Sequence, residues 1–137
     1  MLAAASPATT LWLSVLLGAW LIAGGIGALV RSDLWPEMIA EFERSPALMA
    51  VTGAVAFLVG GLIVSIHNVW TDPAAILVSA AGWTAVAEGL ILIAAPALWL
   101  RLARTLAGSA RIWGIVMLLL GAFLLSSAVT RPLAPSL

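Results

Sequence analysis

The chain has 137 residues, of which 64% are apolar and 9% charged, with a net charge of zero and no cysteine. An average soluble domain carries about 25% charged residues, so this chain has too little polar surface to cover a water-soluble fold. Disulfides, thiolate metal sites and cysteine nucleophiles are excluded, and no basic cluster in the chain suggests nucleic acid or anionic lipid.

Residues 1–30 contain no charged side chain, and the first apolar run lies near 10–30. A secretory signal would need a basic leading segment, and Met1 to Thr10 supplies no Lys or Arg, so the run is expected to be a retained helix. Residues 31–44 follow as a connector in which Leu34, Trp35, Met38, Ile39 and Phe42 recur at helical spacing opposite Glu37 and Glu41. That pattern predicts a short amphipathic helix at the membrane surface, with Trp35 at headgroup depth.

Ser45-Pro46 opens the second apolar run, near 47–66, and Asp72-Pro73 opens the third, near 74–95. Each pairs a capping side chain with a proline at the first helical position, where the missing N–H is not needed. A second amphipathic connector carries Leu98, Trp99, Leu102 and Leu106 opposite Arg101 and Arg104, and Ser109 is placed to cap the last run, near 112–129. Each run approaches or exceeds the roughly 20 residues that cross about 30 Å of hydrocarbon. The predicted fold is an all-α membrane protein, a single domain over 1–137 with four transmembrane helices.

Five Arg, at 31, 44, 101, 104 and 111, flank or occupy the two connectors, and only Arg131 falls on the other side. By the positive-inside rule both connectors are cytoplasmic, and the termini and the loop 67–73 face outward. The connectors differ in charge: Asp33, Glu37, Glu41 and Glu43 accompany two Arg in the first, and no acid accompanies three in the second. Side-by-side packing, with Glu37 or Glu41 facing Arg101 or Arg104, is one expectation; separately solvated faces are the other.

An offset of 64 superimposes Gly18 on Gly82, Gly25 on Gly89, Leu34 on Leu98 and Trp35 on Trp99. An offset of 61 superimposes Gly53 on Gly114, Gly60 on Gly121 and Ser65 on Ser126. The chain reads as two parallel copies of a helix, interfacial helix, helix unit, over about 10–67 and 73–129. Every spanning helix carries two glycines seven residues apart, on nearly one stripe, which predicts that Gly18, Gly25, Gly53, Gly60, Gly82, Gly89, Gly114 and Gly121 form the packing seams.

Two residues are candidates for chemistry. Glu88 is the only charged residue within a predicted span. A charge at depth costs about 2.5–3.5 kcal/mol on insertion scales, so Glu88 is expected to face the bundle interior, neutralised or hydrogen-bonded among Ala81, Thr84 and Ala85. It is either a proton or cation site or polar glue between helices. His67, the only histidine, is expected at the outer interface, bonding the short loop through a residue such as Asp72. A zinc or haem site needs more ligands than one chain supplies, so no metal and no cofactor is expected. Ser126 and Ser127 are expected to bond back to the preceding turn.

Glu88-Gly89-Leu90, then Pro96 and Trp99, followed by a glycine-bearing apolar helix, resembles the YjeT-like small bacterial inner-membrane proteins over about residues 82–127. The resemblance implies a duplicated and diverged form of a two-helix chain, with Glu88, Gly89, Pro96 and Trp99 as motif positions and no reaction assigned to them. In the first copy Gly24 stands in place of the Glu, and no proline precedes Trp35 at the matching position. Gly24 to Arg31 is similar to the first-helix signature of the Fluc fluoride channels, but the buried Asn and the Thr/Ser/Phe-rich break of that family are missing. The expected role is a non-enzymatic accessory or scaffolding subunit of the bacterial inner membrane, in contact with lipid and forming a homo-oligomer or part of a larger complex. The rival is an oligomeric proton or ion pathway centred on Glu88. An enzyme ranks third, for want of a nucleophile and base pair.

Overall fold

In a computed structural model the described residues, 5–130, form six helices: α1 (Pro7–Val30), α2 (Leu34–Arg44), α3 (Pro46–Ile66), α4 (Pro73–Ala94), α5 (Pro96–Ala107) and α6 (Ala110–Thr130). Of these, α1, α3, α4 and α6 are long and apolar enough to cross a membrane, and the protein is a multi-pass membrane protein. Arg131 lies outside the described residues, as do the first four positions.

The helix starts follow from their caps. Ser45 Oγ accepts from Leu48 N–H at 3.2 Å and Asp72 Oδ1 from Ala75 N–H at 3.1 Å, each just before a proline. The same device opens α1 three residues earlier than the apolar run suggests: Ser6 Oγ accepts from Thr9 N–H at 3.2 Å, ahead of Pro7. At α6 the Ser109 carbonyl takes the Trp113 N–H at 3.0 Å. Ser126 and Ser127 both bond back to the Phe123 carbonyl at 2.8 Å, as expected of hydroxyls in an apolar helix.

The spanning helices form two tight pairs, α1 with α6 and α3 with α4. All eight stripe glycines lie in these two seams. A Cβ on Gly18 would lie 3.1 Å from the Gly121 carbonyl oxygen, and one on Gly25 2.8 Å from that of Gly114. In the other seam, a Cβ on Gly60 would lie 2.7 Å from the Gly82 carbonyl oxygen, and one on Gly89 2.5 Å from that of Gly53. Lipid offers no hydrophobic drive for helix association, so backbone contact at this range is what holds each pair together.

The pairs meet at one end, and the connectors pack on the α3–α4 pair at the other. Near the 67–72 loop, Leu124 of α6 is fully buried with Ala74 and Val78 of α4, and Leu13, Leu17, Leu21 and Ile63 pack around them, so all four spanning helices meet there. At the connector end, Phe42 of α2, Met49 of α3 and Leu92 of α4 form a second cluster with Trp99 and Leu100 of α5. Phe42 and Trp99 meet edge to face with centroids 5.1 Å apart. The connectors therefore do pack side by side. The acid that faces Arg104 is Glu43, accepting from its Nε at 2.9 Å, rather than Glu37 or Glu41, which pair with Arg31 and Arg44 instead. A two-residue step along α2 turns a side chain by about 200°, so only one of Glu41 and Glu43 can face α5.

Candidate functional site

Two polar features stand out on this apolar frame, one at each end. The first is built around His67, which ends α3 with extended backbone and is completely buried. Its Nε2 lies 2.9 Å from Thr10 Oγ1 of α1, and its Nδ1 lies 3.1 Å from Ser79 Oγ of α4. Ser79 also clasps the loop, accepting from Val69 N–H at 3.0 Å and donating to the Val69 carbonyl at 2.9 Å. With the Ser79 hydrogen given to Val69, Nδ1 must be the donor to Ser79, and in the neutral ring Nε2 then accepts from the Thr10 hydroxyl. The ring thus ties α1, the end of α3 and α4 through groups 57 and 12 residues away in sequence.

His67 stands at the end of α3 beside the loop, and it is buried there rather than open to the surface. The α1–α4 contact closes over the ring, and both nitrogens are satisfied inside. One turn below Thr10, Ser14 Oγ is buried with no hydrogen-bond partner. Among the described residues no cluster of three potential metal ligands occurs.

The second feature is Glu88, and here the expectation of an inward carboxylate is overturned. Glu88 is exposed on the outside of the bundle, and its Oε1 accepts from Trp99 Nε1 at 3.2 Å. The seam explains the direction. Gly82, Ala85 and Gly89 occupy the side of α4 that meets α3, and a residue adjacent to Gly89 is turned about 100° away from it. Thr84 and Ala87, which share Glu88's side, are exposed as well.

The motif residues form one corner. Glu88 stands on α4, Pro96 begins α5 after the break at Ala95, and Trp99 comes round one turn later to donate to Glu88 while its ring rests on Phe42. Gly89 is the seam residue beside it, so the corner and the seam are a single unit. At Gly24, the position 64 residues before Glu88, a Cβ would meet Met117 Cε at 2.6 Å. The residue 61 before Met117 is Ala56. Met117 of α6 thus covers the position in the first seam that corresponds to Glu88, whereas Glu88 itself points out of the second.

Glu88 and Ser79 are nine residues apart on α4, about 14 Å along the helix axis, so the two polar features are separate. No family model, curated protein or solved structure matches this chain.

Proposed function

We propose that the chain is a non-enzymatic accessory or scaffolding subunit of the bacterial inner membrane, and that the Glu88 side of α4 is the surface that packs against a partner helix, from a second copy or a larger complex. The observation that carries this reading is the exposed Glu88: a carboxylate on a spanning helix, bonded through one oxygen by Trp99 and flanked by the small side chains of Thr84 and Ala87. Small neighbours permit close helix approach, and a polar group in hydrocarbon favours a helix that can bond to it. A pathway through one chain finds less support. The interior polar groups lie about 14 Å from Glu88 along α4, with the buried Gly82 seam between.

The seams support descent from a duplicated helix, connector, helix unit. Adding 64 to the α1 positions and subtracting 61 from the α6 positions carries Gly18–Gly121 onto Gly82–Gly60 and Gly25–Gly114 onto Gly89–Gly53. The five Arg around the connectors support a cytoplasmic placement for α2 and α5, with the 67–72 loop on the periplasmic side.

Photo-crosslinking in native membranes tests the contact. A crosslinker at Thr84 or Ala87 is expected to give a discrete protein adduct, whereas one at Leu58, exposed on α3, is expected to give lipid adducts alone. Glu88→Gln is expected to reduce the Thr84 adduct while leaving the helical content unchanged. Lipid adducts alone at Thr84 and Ala87, or proton flux in liposomes that Glu88→Gln abolishes, would count against the scaffold and for the pathway.

A further inference from the structure

We propose that α5 carries a binding site for a single anionic phospholipid, whose phosphate sits between Arg101 and Arg104. A groove of about 440 Å³ runs along this helix, lined by Ala97, Leu100, Arg101, Arg104 and Thr105. The two guanidinium groups are three residues apart and so lie on one face. A search for contiguous basic runs misses the site, because helical spacing rather than adjacency brings Arg101 and Arg104 to one face.

Charge, depth and lining each point to the same ligand. Arg104 is held by Glu43 through Nε and one terminal nitrogen, and among the described residues Arg101 makes no ion pair. Two guanidinium groups less one carboxylate leave one positive charge, which matches a phosphodiester monoanion. Guanidinium is also suited to phosphate by its planar fork of donors. The adjacent row of α5, Leu98, Leu102 and Leu106, is exposed and apolar. Buried in hydrocarbon, that row sets Arg101 and Arg104 at headgroup level. Ala97 and Leu100 give the groove an apolar part that an acyl glycerol can cover and inorganic phosphate cannot.

Native mass spectrometry of the purified full chain, given phosphatidylglycerol, phosphatidylcholine or inorganic phosphate, tests the site. Wild type is expected to retain one phosphatidylglycerol in preference to phosphatidylcholine. Arg101→Gln is expected to lower that retention about five-fold, in line with one basic residue at a lipid surface. Arg111→Gln, which removes an exposed charge outside the groove, is expected to leave it unchanged. Ala97→Leu keeps both charges and fills the groove, and is expected to weaken retention too; circular dichroism checks that each variant folds. Equal loss in Arg101→Gln and Arg111→Gln, equal retention of phosphatidylcholine, or displacement by inorganic phosphate would each overturn the proposal.

Discussion

Gly89→Ala is expected to destabilise the protein by about 1–3 kcal/mol, the range for forcing extra volume into a packed core. The new methyl would sit 2.5 Å from both the Gly53 carbonyl oxygen and the Phe57 backbone nitrogen, and backbone cannot move aside without separating α3 from α4. Gly60→Ala meets the backbone of Val86 and Gly82 at 2.6 and 2.7 Å and is expected to behave alike. Gly61→Ala, one residue on, meets nothing within 4 Å, and the greater helix propensity of Ala makes it neutral or mildly stabilising, by at most about 1 kcal/mol. Gly24→Ala falls between, because its obstacle is the flexible end of Met117. Unfolding in mixed micelles, followed by circular dichroism, orders these variants. A Gly89→Ala protein as stable as Gly61→Ala would show that the seam is not close-packed.

The second large effect is expected at His67. Replacing it with Ala removes the shared partner of Thr10 and Ser79 and leaves a ring-sized void, at a combined cost of about 2–4 kcal/mol. Thr10→Val keeps the shape and removes only the hydroxyl, so it is expected to cost about 1 kcal/mol. In the double variant most of the Thr10 effect is expected to vanish, because the two groups act through one bond. Hydrogen exchange locates the damage: the 67–72 loop and the first turns of α4 lose protection, while the glycine seams keep theirs. Additive losses, or equal loosening of both ends, would show that His67 is not the tie between α1 and α4.

Much of this architecture can be read from local signals. Uncharged runs mark the spans, cap-proline pairs mark the starts of α3 and α4, with Ser6-Pro7 passed over at α1, and the seven-residue glycine spacing marks the seams. What local signals leave open is partnership. Four helices with equivalent stripes can pair in several ways, and nothing within a single helix tells Gly18 to meet Gly121 rather than Gly53. The same gap hides His67, whose neighbours Thr10 and Ser79 come from two other helices. At Glu88 the local signal misleads, because small residues surround it on both the seam side, at Ala85, and the outer side, at Thr84 and Ala87. The cost of burying a charge then argues for the interior, but the seam has already taken the other face of the helix. The connectors do pack side by side, but by the same geometry the acid that meets Arg104 is Glu43, where Glu37 or Glu41 was expected.

Each half of the chain thus gives one helix to each seam, so neither half contains a seam of its own. This crossed pairing is what the folding of α2 against α5, the burial of His67 and the outward turn of Glu88 all depend on. The chain has twelve glycines, and labelling them alone with carbon-13 leaves the bundle unperturbed. Solid-state NMR of that protein in bilayers should show through-space Cα correlations for Gly18 with Gly121, Gly25 with Gly114, Gly53 with Gly89 and Gly60 with Gly82. Correlations of Gly18 with Gly53 or Gly60, or of Gly82 with Gly114 or Gly121, would place each seam within one half and contradict the crossed bundle.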